Sequence, residues 1–297
     1  MNRSKDLIDL MKSKPILRVG GAFDAMSAKL VELENFDAVW AGSFAISATH
    51  ALPDASILTM TEFLHAAQNM AETCNIPVIA DCDTGFGGPG NVSHLVKKYE
   101  KAGVAGISIE DKTFPKENSL LNEGNQNLIS EKEFVAKIIA AREAKKDNNF
   151  LLIARTEALI AEKGMDEAKK RATAYEKAGA DAILIHSKKN SPDEVFEFAD
   201  TWKGNVPLVV VPTTYPNVKT NEFISHKIKM VIYANQTLRS AYSSMLETLK
   251  KIQNDDLVSL NNEIVPMEKI FDLQKMYDLK EEEREIKEEL KKMGYID

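Results

Sequence analysis

Eight short apolar runs, separated by segments of helical pattern, restrict the fold of this chain more than any other feature. They are residues 16–24 (ILRVGGAFD), 37–43 (DAVWAGS), 77–83 (PVIADCD), 106–111 (GISIED), 151–156 (LLIART), 182–187 (AILIHS), 208–213 (LVVVPT) and 230–235 (MVIYAN). Each is nearly continuous rather than alternating, as in strands of a parallel sheet buried on both faces. Between them, residues 130–144 open on a Ser-x-x-Glu capping box at Ser130 and Glu133, and residues 165–181 reach Gly179, a residue suited to ending a helix. Eight strand–helix units in about 240 residues match a (β/α)8 barrel. A doubly wound open sheet would want a Gly-rich phosphate turn after its first strand, and GGAFDA at residues 20–25 is not GxGxxG. The expectation is therefore an α/β fold, a (β/α)8 TIM-type barrel over residues 1–245, followed by a helical extension over residues 246–297.

The extension is longer than one closing helix requires. In residues 280–294, Ile286, Leu290 and Met293 recur at i, i+4 and i+7, which predicts a solvated helix with one apolar stripe. Glu283–Lys287 and Glu288–Lys292 are i,i+4 pairs in the favourable order, worth about 0.2–0.5 kcal/mol each. A lone exposed stripe invites burial in an oligomer contact.

Composition sets the outer limits. With 297 residues, 44% of them hydrophobic and 28% charged, the chain can bury a substantial core. A net charge of −7 without a basic stripe argues against nucleic-acid binding, so an anionic ligand would need local cations. Cys74 and Cys82 form no CxxC pattern, which argues against a disulfide scaffold or a zinc knuckle. The start, MNRSKDLIDLMKSK, lacks the apolar core of a signal peptide, and no run reaches the roughly 18 apolar residues of a membrane span. The cytoplasm is the expected location, with no membrane partner.

In such a barrel the chemistry lies at the carboxyl ends of the strands. Those ends carry Asp81 and Asp83, Glu110, Arg155, His186 and Asn235, and the loop after the second strand adds Asp54. Asp81 and Asp83 are two apart, so both can face the mouth of the barrel. With Glu110 beside them, three unpaired carboxylates would repel, a cost that a divalent cation removes. Oxygen donors without His or Cys favour Mg2+, which keeps several waters. Gly85, Gly87 and Gly88 fit a close backbone turn beyond that site. Arg155 can be a structural ion pair to a barrel carboxylate or a clamp for an anion. His186 can be a satisfied core histidine or a donor to a charged oxygen. Lysines are ordinarily surface residues, but Lys112 and Lys116 follow the fourth strand and are candidates to cover an anion. Cys82 points to the helix layer. Trp40 is either core or a pocket wall. The expected ligand is a small polyanion such as an α-keto or α-hydroxy acid.

Four stretches carry a likeness to a known family: ADCDTGFG (residues 80–87), GISIEDKTFPKENSL (106–120), LLIARTEALIAEKGMDEAKKRATAYEKAGADAILIHSKK (151–189) and VVVPTTYP (209–216). They resemble the isocitrate lyase/phosphoenolpyruvate mutase superfamily across almost the whole chain. More narrowly, EDK-x5-NS at Glu110–Ser119 resembles the branch that holds phosphoenolpyruvate mutase and phosphonopyruvate hydrolase. The KKCGH or KRCGH loop of the lyases is absent from the sequence.

The resemblance implies a barrel whose last helix is swapped with a neighbouring subunit, in homodimers that pair as homotetramers. It implies that Asp81 binds Mg2+ directly while Asp54, Asp83 and Glu110 hold its waters. The substrate carboxylate would sit on backbone N–H groups near Ser43 and Phe44, with Trp40 beside it, and Arg155 and His186 would engage charged oxygens. Lys112, Lys116, Asn118 and Leu120 would belong to a gating loop, with Phe114-Pro115 as its stiff element. The implied reaction moves a phosphoryl group between C3 of phosphonopyruvate and the enol oxygen of phosphoenolpyruvate, the C–P chemistry of phosphonate biosynthesis. The hydrolase of the same branch looks to carry Thr in the place of Asn118 and gives the group to water. One departure stands out: the family usually presents Trp-x-Ser-Gly after strand two, whereas this chain has Trp40-Ala41-Gly42-Ser43.

Overall fold

Each of the eight apolar runs contributes a strand in the computed structural model, which describes residues 2–121, 124 and 126–296. The strands are β1 (Leu17–Ala22), β2 (Ala38–Ala41), β3 (Val78–Asp81), β4 (Gly106–Glu110), β5 (Leu151–Thr156), β6 (Ala182–Ile185), β7 (Leu208–Val210) and β8 (Ile228–Tyr233). They pair in parallel in chain order, and β8 closes on β1. The helices are α1 (Arg3–Ser13), α2 (Ala25–Leu33), α3 (Ser43–Thr49), α4 (Met60–Thr73), α5 (Pro89–Lys101), α6 (Glu131–Ala144) and α7 (Gly164–Ala178). They continue as α8 (Asp193–Thr201), α9 (Thr220–Ser225), α10 (Gln236–Gln253), α11 (Leu257–Asn261), α12 (Met267–Leu273) and α13 (Met276–Lys292). The expected (β/α)8 barrel is thus the observed fold.

Two core layers explain why the strands read as continuous apolar runs. Val19, Ala38, Trp40, Ile79, Leu151, Ile153, Leu184 and Ile232 form one cluster with Leu7 and Met11 of α1, filling the barrel interior. Val39, Val78, Ile107, Leu152, Ala154 and Ile183 form the other, against Phe63, Leu95, Phe134 and Tyr175 of the surrounding helices. Both faces of most strand positions are dry, which is why the runs are mostly apolar.

Local signals act where the sequence puts them. Ser130 and Glu133 form the reciprocal cap of α6, and Gly179, at φ +107°, ends α7. In the turn after β3, Gly85 has φ +85°, and a Cβ there would lie 2.5 Å from Val92 Cγ2. Gly88 closes the same turn as the residue before α5, with nothing within 4 Å of a Cβ position. Lys137 of α6 donates to the Thr84 carbonyl at 2.8 Å and pins the same turn from the helix side. Cys82 is fully buried against the helix layer, and burial pushes its thiol pKa well up, as befits a structural cysteine.

The chain divides into two compact units, residues 1–239 and 240–297; this division and the one expected after residue 245 both fall inside α10. In the second unit, Ile286 and Leu290 of α13 and Met293 just after it are exposed, as are Met245 and Leu249. The ion pairs of α13 join Arg284 to Glu281 and to Glu288, and the two expected Glu–Lys pairs are not among them. A guanidinium placed between two carboxylates competes well with flexible ammonium groups. Among the described residues, no helix is long and apolar enough to cross a membrane.

Gly85→Ala is expected to destabilise the protein by about 1–3 kcal/mol, because the backbone is left-handed and the Cβ has no space. Gly90→Ala, inside α5 with nothing within 4 Å, should instead be neutral or stabilise by up to about 1 kcal/mol. Thermal denaturation of the two variants checks both signs.

Candidate active site

Strand alternation delivers the site. Positions 79, 153 and 184 belong to the inner core, and the next residues of the same parity are Asp81, Arg155 and His186. Glu110 ends β4 in register with Arg155, and the two side chains pair at 3.2 Å. Asp83 reaches the mouth by another route than the pleat expected for it. The strand stops at Asp81, and Asp83 turns with φ +49°. Asp81, Arg155 and His186 border a cavity of about 520 Å3 whose walls also include Trp40, Ser43, Phe44, Asp54, Lys116, Asn118 and Leu120, while Asp83 and Glu110 lie behind that wall. Trp40 is therefore both core and wall.

Lys116 is no surface lysine. It is 6% exposed, and its ammonium lies 2.9 Å from Asp54 Oδ1, 2.9 Å from Asp83 Oδ1 and 3.4 Å from Ser43 Oγ. Burial alone would lower its pKa, but Asp83, Asp54, Glu110 and Asp81 hold it well above the usual lysine value. One cation does not neutralise four carboxylates. Burial foremost, and neighbouring acids with it, raise Asp83 to about 6 and Glu110 to about 7. Asp83 Oδ2 and Glu110 Oε1 are buried without hydrogen-bond partners. Ser43 donates to Asp81 Oδ2 at 3.1 Å, so the displaced hydroxyl of Trp40-Ala41-Gly42-Ser43 faces this acid. Among the described residues, no group of three or more His, Cys, Asp or Glu side chains forms a metal cage by itself. A set of oxygen donors with orphaned lone pairs suits a hard cation that keeps its waters.

The second half of the mouth is a charge network around a residue that the strand-end pattern does not reveal. Arg155 Nε donates to Glu157 Oε1, and Nη2 lies 2.9 Å from His186 Nδ1. The same imidazole nitrogen is 3.1 Å from Glu157 Oε1, so its tautomer decides which neighbour it bonds. Burial and the Arg155 charge lower the His186 pKa, leaving a neutral ring at neutral pH. Glu157 is fully buried; burial alone would raise its pKa, but Arg155, His186 and Lys112 hold it well below the carboxylate range. Counting on by two through LLIARTE places Glu157 on the same face as Arg155, a signal present in the sequence. Arg155 thus pairs with barrel carboxylates, as its structural reading expects, and also lines the cavity.

The loop after β4 folds back on its own base. Lys112 bridges to Leu128, Thr113 N donates to Asn127 O at 3.0 Å, and the Phe114–Pro115 peptide is cis. Asn118 Nδ2 donates to Asp54 Oδ2 at 2.7 Å, and Leu120 closes the outer wall. Lys112 is not a surface residue either, nor does it line the cavity. It is 1% exposed and donates to Glu117 O and Ser119 Oγ at 2.7 Å each. Asp111, of opposite parity to Glu110, points into the helix layer, where Tyr175 and Arg171 of α7 donate to it at 2.6 and 3.1 Å.

Comparison with known proteins gives a consistent result. A family model described as phosphoenolpyruvate phosphomutase matches residues 7–253. A phosphonopyruvate hydrolase of Variovorax sp. (strain Pal2) is 44% identical over 256 residues, covering 86% of this chain and 88% of its own. The crystal structure of a phosphoenolpyruvate phosphomutase from Streptomyces platensis subsp. rosaceus superposes with a TM-score of 0.93 at 44% identity, covering 95% of this chain and 98% of that one. A phosphonopyruvate hydrolase in complex with oxalate and Mg2+ superposes with a TM-score of 0.89 at 40% identity, covering 94% and 97%.

The acidic mouth has a measurable signature. Glu110 and Asp83 carry folded pKa values of about 7 and about 6, above the roughly 4 of a free carboxyl. Their contribution to stability is full below the unfolded value and lost as pH rises through the folded one. In a chelating buffer, the melting temperature should fall between about pH 4 and 7, and Glu110→Gln should flatten that fall. Parallel profiles for the two proteins would contradict the assignment.

Proposed function

Because the chain belongs to the phosphoenolpyruvate phosphomutase family, we propose that it is a phosphoenolpyruvate mutase, a Mg2+-dependent isomerase that interconverts phosphoenolpyruvate and phosphonopyruvate. Asn118 carries this reading. It lies in the loop after β4, lines the cavity and bonds Asp54, at the place where the hydrolase branch looks to have Thr.

In this reading Asp81 would hold Mg2+ directly and Asp54, Asp83 and Glu110 would hold its waters. When bound, Mg2+ supplies positive charge beside the carboxylate and carbonyl oxygens of the pyruvyl unit. The N–H groups of Ser43 and Phe44, in the first turn of α3, receive the substrate carboxylate. Arg155 and neutral His186 bind the phosphoryl oxygens. The C3–P bond breaks with its electron pair left on the pyruvyl unit, and a P–O bond forms at the enol oxygen. No water is consumed and no proton is lost. A loose, metaphosphate-like phosphoryl group is captured by the nearest nucleophile, so the loop must exclude water while the Asn118 amide donates to the migrating group. Lys116, held by Asp54 and Asp83 at the cavity wall, would present its ammonium to the substrate. The same reading assigns the enzyme to C–P bond formation in phosphonate biosynthesis, in the cytoplasm.

A second reading, phosphonopyruvate hydrolase, is favoured by the 44% identity to the Variovorax protein. Phosphorus NMR of the protein with phosphonopyruvate and Mg2+ separates the two. Phosphoenolpyruvate as first product is expected; pyruvate and inorganic phosphate without it would establish the hydrolase. An unchanged spectrum would remove both.

The apolar stripe of α13 supports a further part of the proposal: the helical extension packs on a neighbouring subunit by swapping the last helix, in dimers that pair as tetramers. Light scattering should give a dimer or tetramer for the full chain and a smaller species for a chain ending at residue 245. A monomeric full chain would refute the swap.

A further inference from the structure

We propose that Glu157 is a positioning residue that fastens the loop after β4 to the anion-binding side chains. One buried carboxylate joins three parts of the barrel mouth. Its Oε2 accepts the Ser119 hydroxyl of the loop at 2.5 Å and lies 3.4 Å from Lys112 Nζ. Its Oε1 accepts Arg155 Nε of β5 and is 3.1 Å from His186 Nδ1 at the end of β6. Ser119 completes the link, since it also receives Lys112 Nζ at 2.7 Å and Arg155 Nη2 at 3.0 Å.

The arrangement follows from charge. Lys112 is buried and Arg155 mostly so, and Glu110 alone cannot serve them from its side of the mouth. Glu157 therefore compensates two cations while accepting the single loop hydroxyl that stands between them. A short charge-assisted bond of this kind is stronger than a neutral one. Ser119 follows Asn118 directly, so holding Ser119 fixes where the Asn118 amide sits above the cavity. The hold on the loop is a property of the free protein. Its consequence for water rests on the phosphoryl-transfer reading: an unfastened loop would admit water and divert the group to inorganic phosphate.

The test is hydrogen exchange of the free protein, compared for wild type, Glu157→Gln and Ser119→Ala. Amides of residues 112–121 should exchange at least about tenfold faster in both variants, the size expected for losing one bond to a charged group. Amides of α6 should be unchanged. Equal rates in the loop for either variant, or equal acceleration in α6 and the loop, would overturn the proposal. Should Glu157→Gln fail to fold, Ser119→Ala decides alone, because it leaves every buried charge in place. As a second readout, the share of phosphonopyruvate phosphorus released as phosphate should rise several-fold in Ser119→Ala. An unchanged share with a loosened loop would count against the phosphoryl-transfer reading and leave the fastening intact.

Discussion

A closed parallel barrel sends every second side chain of each strand inward, and that two-residue period governs the rest of the molecule. The inward positions are mostly apolar until the strands end, where Asp81, Glu110, Arg155 and His186 succeed Ile79, Ser108, Ile153 and Leu184. No loop needs to find these groups. The strand that builds the core also aims the chemistry, and residues of the other parity, such as Asp111 and Cys82, are turned to the helices.

Gathering these side chains in a dry place forces a charge balance. Asp54, Asp81, Asp83, Glu110 and Glu157 face Lys112, Lys116 and Arg155, so acids exceed cations at the mouth. The two halves settle this differently. Around Arg155 the charges are matched closely, and Glu157 stays ionised well below the carboxylate range. Around Lys116 they are not, and Asp83 rises to about 6, while burial lifts Glu110, which pairs with Arg155, to about 7. The undercompensated half is where a divalent cation gains most, and the matched half is where a substrate anion must compete for Arg155. One mouth thus holds an acid-rich half and a charge-matched half side by side.

Much of this architecture is legible in the sequence. The eight runs, the cap at Ser130 and the strand ends follow from local rules and periodicity, because backbone geometry enforces them. Asp83 meets Lys116 rather than standing on the strand pleat that its spacing predicts, since its left-handed turn depends on the glycines and Lys137 packed beyond it. Lys112 and Lys116 depart from the ordinary placing of lysine at the surface, because only tertiary structure reveals the acids that draw them in. Glu157 escapes a reading that stops at the end of β5, one step of two short of it. Its four partners come from positions 112, 119, 155 and 186, which no local pattern connects.

The proposed chemistry stands or falls on whether the phosphoryl group passes to the enol oxygen within one closed site or to water. A single turnover of phosphonopyruvate with Mg2+ in 18O-enriched water distinguishes the two fates. Intramolecular transfer gives phosphoenolpyruvate whose phosphoryl oxygens carry no 18O, and that is the expected result. Inorganic phosphate bearing one 18O, formed without phosphoenolpyruvate, would contradict it.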